Sequence, residues 1–262
     1  MYNRLIILIV ACVFHASLLA QTHTLAYSPD TSVVQTAAQL RIEGGVTKRF
    51  GRHLSIGLEE ELRLGTSGFK RSYTELKTSY NFNKNFKAGA FYSFILINGS
   101  NRWKTRHRIG LSATASVRAG RFRFSLRERP MLSLRTDSIN TEEKNRVNWS
   151  LRSRLMMEYN IREYHLKPYL SVEVGNTLNA KRISGVYNAI EYAWAGNYID
   201  KLRPTIGLKW TYKRMHEFDF FYKLDYDYDR DYNIKKKSKK LEVVRQTMYT
   251  HVIGVAYRFN KR

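Results

Sequence analysis

A chain of 262 residues with 43% apolar content can enclose a large core, and its single cysteine, Cys12, excludes a disulfide framework and a thiolate metal site. The formal charge of +23 would suit nucleic acid, but the basic residues recur on alternate positions instead of gathering in one arm or helix. Together with an export-type leader, that distribution argues against nucleic acid as a partner.

Met1 to Gln21 holds Arg4, an apolar run from Leu5 through Val13 to Leu19, and the small residue Ala20, the three parts of a secretory signal. The run falls short of the ~20 apolar residues of a spanning helix, and His15 and Ser17 interrupt it. A cleavable signal peptide over 1–21 is therefore expected, with the mature chain beginning at Gln21 or Thr22 and one domain over 22–262. Ile9-Val10-Ala11-Cys12 loosely resembles a lipidation box, but the apolar residues after Cys12 stand where a polar tether belongs. No later segment approaches a membrane helix, so a membrane-spanning form would have to be a closed barrel, which satisfies every backbone N–H and C=O.

Beyond the leader the period is two. Thr22 to Tyr27, ahead of the turn-like Ser28-Pro29-Asp30, supplies a first short strand and Gln35 to Lys48 a second. Leu54, Ile56, Leu58, Leu62 and Leu64 then alternate with Ser55, Gly57, Glu59, Glu61 and Arg63. Phe86 to Leu96, Trp103 to Arg118, Arg121 to Arg135, Val147 to Tyr159 and Leu166 to Gly175 repeat the pattern, with Arg106, Arg108, Arg127, Arg152, Arg154 and Glu173 opposite the apolar sets. So do Leu202 to Tyr212, Glu217 to Asp229, and the final stretch, where Tyr249, His251, Ile253, Val255, Tyr257 and Phe259 oppose Thr250, Gly254 and Arg258. These runs exceed the ~5 to 6 residues of soluble strands and meet the ~9 to 11 of a tilted membrane strand. Trp103, Trp149, Tyr159, Trp210 and Tyr212 sit toward strand ends, as interfacial girdles do.

Connections alternate between tight ones (Ala119-Gly120, Asn160 to Tyr164, Arg214-Met215) and long polar ones (Thr136 to Asn145, Asn176 to Asp200, Arg230 to Arg245). Short periplasmic turns, long outer loops and a C-terminus in the periplasm predict an all-β, antiparallel up-and-down transmembrane β-barrel of about 12 strands in the bacterial outer membrane. Glu60 and Glu128 fall on oily faces, which points to an interface or a bulge near Pro130. Ile183 to Ile199 reads as a folded loop or a pair of short strands.

Several short segments carry a resemblance: Leu58-Glu59-Glu60-Glu61-Leu62-Arg63, Tyr80 to Phe86, Arg106-His107-Arg108, Leu151 to Leu155, Lys167-Pro168-Tyr169 leading to Glu173, and Gly254-Val255-Ala256-Tyr257. They are similar to the family called domain of unknown function 2490 (DUF2490). The resemblance implies an outer-membrane barrel and supplies no catalytic residue. The usual tryptophan of the first family strand has no clear counterpart in this sequence.

Under this scheme Glu59, Glu61, Arg106, Arg108, Arg118, Arg127, Arg152, Arg154, Glu158, Glu173 and Lys209 line the lumen. Either they form a basic constriction that prefers anions, or a salt-bridge network that plugs the barrel of a structural surface protein. Arginines outnumber carboxylates on these faces, which makes full pairing inside impossible without water. Lys235, Lys236, Lys237, Lys239 and Lys240 form a solvated loop or contact lipopolysaccharide phosphates. Asp225, Asp227, Asp229 and Asp231 pair with that lysine run or hold a divalent cation, although the turn lacks the glycine of a calcium loop. No cofactor is expected. The expected partners are outer-membrane lipid, lipopolysaccharide and, through the C-terminal strand, the barrel-assembly machinery; the oligomeric state is open. A lipid-modifying enzyme using His107 or His251 is the rival, but no motif links either to a serine. A soluble periplasmic lipid carrier would instead turn the oily faces inward.

Overall fold

The computed structural model describes residues 31–99, 102–136, 145–179, 184–187, 190–193, 198–213, 215–235 and 240–261. The expected signal peptide and the expected strand Thr22–Tyr27 lie outside these residues. Thirteen strands follow one another without a helix among the described residues. They are β1 (Thr31–Phe50), β2 (Leu54–Gly65), β3 (Gly68–Asn81), β4 (Phe86–Asn98), β5 (Trp103–Ala119), β6 (Phe122–Arg135), β7 (Val147–Tyr159), β8 (Leu166–Thr177), β9 (Ser184–Tyr187), β10 (Ile190–Ala193), β11 (Tyr198–Tyr212), β12 (His216–Lys235) and β13 (Lys240–Lys261).

Eleven of them close a barrel in the order β1-β13-β12-β11-β8-β7-β6-β5-β4-β3-β2, and β9 and β10 form a separate two-stranded hairpin within the long 183–199 stretch. Each sequential barrel pair is antiparallel, but β1 and β13 run parallel from Thr31↔Val244 to Lys48↔Lys261. The count is near the expected twelve, and the expectation of an all-antiparallel barrel is corrected by this parallel seam. An odd number of strands closed on itself must contain one parallel pair, and the direct β1–β13 seam leaves no edge for a further strand between them.

Two other expectations change. The β2–β3 connection is only Thr66–Ser67 yet lies at the same end as the long loops, with Gly68 at φ 90° making the tight reversal possible, so short and long connections do not strictly alternate. The stretch Arg230 to Arg245 is not a loop: β12 and β13 continue through it to the pair Lys235↔Lys240. Lys235 and Lys240 thus end two long strands, and Lys236, Lys237 and Lys239 lie outside the described residues.

The two faces of the wall are unlike. Trp149 is 52% exposed, Phe220 51% and Ile253 65%, all on the outer face with Leu58, Ile109, Leu111, Ile206 and Leu208. Val252, the neighbour of Ile253, is fully buried inside, and Arg41, Ser93, Asp225 and Arg203 are buried there too. A lipid carrier of the kind weighed above would need Trp149, Leu208 and Phe220 on the inner face; they are on the outer one.

Polar groups on the outer face are matched to one another. Thr74 Oγ1 donates to Glu60 at 2.5 Å, Ser153 Oγ donates to Glu128 at 2.6 Å, and the Tyr92 and Tyr222 hydroxyls each meet a histidine Nδ1, of His107 and His251, at 2.7 Å. Glu128 does not sit at a bulge, since β6 keeps one register with β7 from Phe122↔Tyr159 to Leu134↔Val147. Pro130 is accommodated on the outer face within that unbroken register.

Candidate functional site

The lumen is built in layers. At mid-height three aromatic rings lie across inward-facing glycines on the neighbouring strand: Phe91 opposite Gly110, Tyr169 opposite Gly207, and Phe221 opposite both Gly207 and Gly254. A Cβ at Gly110 would lie 2.6 Å from Phe91 Cζ, and one at Gly207 would lie 2.5 Å from Tyr169 Cζ, so only glycine lets these rings lie flat against the wall. Each ring carries a cation: the Arg129 guanidinium 3.8 Å from the Phe91 centroid, Lys209 Nζ 4.8 Å from Tyr169, and Lys223 Nζ 5.1 Å from Phe221. Tyr169, Phe221 and Val252 pack as one buried cluster with Met156 against it.

Ion pairs knit the strands around this layer. Arg258 reaches Glu43 (3.1 Å), Glu217 (3.4 Å), Glu59 (3.5 Å) and Asp219 (3.5 Å). Arg203 reaches Glu173 (3.2 Å), Asp225 (3.2 Å) and Asp227 (3.6 Å), and Arg41 reaches Asp225 (3.1 Å) and Glu61 (3.5 Å). Arg127 pairs with Glu173 at 3.2 Å and Arg129 with Glu75 at 3.0 Å. Lys77 pairs with Glu59, Lys209 with Glu158, and Arg63 with Glu61. The expected pairing of Asp225 and Asp227 with the lysine run is thus corrected. Asp225 serves Arg41 and Arg203, Asp227 serves Lys201 (2.9 Å) and Arg203, and Tyr198 donates to Asp229 at 3.3 Å. Among the described residues, no group of three or more acidic, His or Cys side chains is placed to hold a metal ion.

Above this network, at the end of the barrel that carries the long loops, the lumen widens into a cavity of about 460 Å3 bordered by Arg63, Arg71, Arg106, Arg108, Arg135 and Arg152 on one side and by the aspartates of β11 and β12 on the other. A smaller cavity of about 90 Å3 lies between Arg154, Tyr169, Asp219 and Lys223; Arg203 borders both.

A family model described as "Protein of unknown function (DUF2490)" matches residues 42–235, more than half of the chain. The chain belongs to that family. The DUF2490 match takes in most of the ion-pair network and the arginine wall of the large cavity, but not β13, which supplies Val252, Gly254 and Arg258, nor Arg41 at the start of the seam. No curated protein matches the sequence.

Of the residues singled out as lumen-lining, Glu59, Glu61, Arg127, Glu158, Glu173 and Lys209 meet in ion pairs on the inner face, and Arg106, Arg108, Arg152 and Arg154 border the two cavities. Arg118 stands apart, exposed beside the short β5–β6 turn. Sequence reasoning missed Arg41, which is almost wholly buried, and the inner aromatics Phe91 and Phe221. The signal for the aromatics was present in the strands facing them, as the inward glycines Gly110, Gly207 and Gly254.

Proposed function

We propose that the protein is an outer-membrane β-barrel with a basic lumen closed at mid-height, a surface barrel that receives anions at its loop end and is not an open porin. The observation that carries this reading is the inverted wall, apolar outside and charged inside. A contiguous apolar belt around a whole barrel far exceeds the few hundred Å2 that a soluble monomer exposes. The hydroxyl–carboxylate and tyrosine–histidine pairs on the outer face support the same environment, because a polar group facing hydrocarbon costs several kcal/mol unless bonded, whereas water would satisfy it without a partner. On this reading the short-turn end, where β13 finishes, is the periplasmic one and the large cavity opens toward the cell surface, since outer-membrane barrels carry their long loops outside. Closure is supported by the cations stacked on the inner faces of Phe91, Tyr169 and Phe221 and by the Arg258 and Arg203 ion-pair networks around them.

Catalysis is not part of the proposal. His107 and His251 each meet a tyrosine hydroxyl on the outer face, and among the described residues neither contacts a serine.

Planar-bilayer recordings test the reading. Wild-type protein is expected to insert without a steady open-pore conductance, and the double variant Phe91→Ala/Phe221→Ala to open an anion-preferring one. A large wild-type conductance would refute closure, cation preference would refute the basic lumen, and protein that stays monodisperse without detergent would refute the membrane setting.

A further inference from the structure

The two walls of the large cavity differ in how their charges are matched. On β11 and β12, Asp200 and Asp227 lie 3.5 and 2.9 Å from Lys201 Nζ, and Asp225 is held between Arg41 and Arg203, so acids and bases neutralise one another. On β5, β6 and β7 the register instead sets arginine directly opposite arginine: Arg106↔Arg135 and Arg129↔Arg152. Like charges directly across a sheet repel. Arg129 finds Glu75. Arg135 makes no ion pair with a carboxylate among the described residues, Arg152 stands beyond ion-pair distance of the Glu173 that attracts it, and Arg108 bonds the Ser133 hydroxyl at 3.0 Å. Asn148 and Ser150 stand on the same wall.

Such an arrangement is costly for an empty protein and well suited to an occupied one. Guanidinium groups crowded on one wall repel one another, and an oxyanion bridging two of them removes the repulsion. The planar fork of arginine matches the oxygens of phosphate in pairs, and a rigid sheet holds the forks in place before the ligand arrives. The cavity volume falls within the range of small-ligand sites, ample for a sugar-sized group behind the anion.

We propose that the loop-end cavity binds a phosphate ester, its oxyanion seated among Arg108, Arg135 and Arg152. The proposal rests on the reading of the lumen as closed below and open at the loop end. The phosphate could belong to a free sugar phosphate or to the headgroup of a surface lipid, and both share this chemistry.

The test is calorimetric titration of the full chain in detergent micelles with glucose 1-phosphate, and separately with lipid A in mixed micelles; unphosphorylated glucose is the control. Saturable binding of glucose 1-phosphate is expected, weakened about tenfold or more by Arg108→Gln and by Arg152→Gln, since each removes charge-assisted hydrogen bonds. It should be unchanged by Arg118→Gln at the far end of β5. Binding of lipid A alone, with the same variant pattern, would assign the phosphate to a lipid headgroup. Arg108→Lys keeps the charge but not the fork, and an intermediate loss is expected; it serves as the folded counterpart if a glutamine variant fails to fold. Absence of saturation with both phosphate probes, equal binding of plain glucose, or equal weakening by Arg118→Gln would overturn the proposal. Binding is read in micelles without any conductance, so its failure leaves the membrane and closure readings standing, and their failure is seen in the bilayer recordings alone.

Discussion

An arginine placed at Leu111 separates a lipid-facing wall from a water-facing one. Leu111 is the central residue of the 17-residue strand β5 and is 62% exposed on the outer face. At ~3.3 Å per residue and a tilt of ~40–45°, 17 residues rise roughly 40 Å, well beyond an apolar band of ~25 Å, so in the proposed membrane setting the midpoint of β5 would lie close to the bilayer centre. Arginine on the lipid face costs about 2–4 kcal/mol at the midplane and about 0–1 kcal/mol near the interfaces. On a water-exposed surface the same substitution stays within about ±0.5 kcal/mol. Leu111→Arg should therefore lower the folding equilibrium constant roughly 30- to 700-fold at 1.4 kcal/mol per factor of ten. Ala119→Arg, on the same face at the last residue of β5, should change it by less than about fivefold. The assay is reversible urea unfolding in large unilamellar vesicles followed by tryptophan fluorescence. A cost below about 0.5 kcal/mol for Leu111→Arg, or equal costs at the two positions, would refute the placement.

Three further outcomes follow from the interior and the outer face. Arg258→Met strands Glu43, Glu59, Glu217 and Asp219 without their shared cation, and urea titration should register a loss of about 3–5 kcal/mol, partly recovered when Glu43→Gln is added. Gly254→Val drives a side chain into the Phe221 ring and should cost about 1–3 kcal/mol; Phe221→Ala in the same chain should recover part of it, and simple additivity would count against the ring lying across that glycine. Tyr222→Phe leaves His251 unbonded on the outer face, at a cost of about 1–3 kcal/mol in bilayers, and a neutral result would argue that water reaches it.

The strand pattern was legible wherever a strand has one oily and one polar face. β2, β5, β7 and β11 are of this kind, because a period of two is fixed by backbone geometry alone. β3 was not, since its outer face carries Ser72, Thr74 and Thr78 in place of aliphatics, and Thr74 is there to satisfy Glu60. Alternation also fails where an inner aromatic adjoins an outer one, as in Phe91-Tyr92 and Phe220-Phe221, and those positions form the mid-lumen layer. Pairing partners were beyond reach, because a strand's period says which face a residue takes and nothing about its neighbour. The parallel β1–β13 seam and the contact between Arg41 and Asp225, 184 residues apart, are both of that kind. The arginine-against-arginine register likewise needed β5, β6 and β7 aligned before it could be seen.

Site-directed fluorescence quenching tests the inverted wall most directly, and the lone Cys12 lies within the expected leader, so single cysteines can be introduced elsewhere. Leu111→Cys and Ile206→Cys report the outer face, and Asn148→Cys the large cavity; each is labelled with a small fluorophore and reconstituted in vesicles. Brominated acyl chains should quench the labels at 111 and 206 while aqueous iodide does not, and iodide should quench the label at 148. Iodide reaching 111 and 206 as readily as 148, with no effect of brominated lipid, would contradict a hydrocarbon-facing wall around a charged interior.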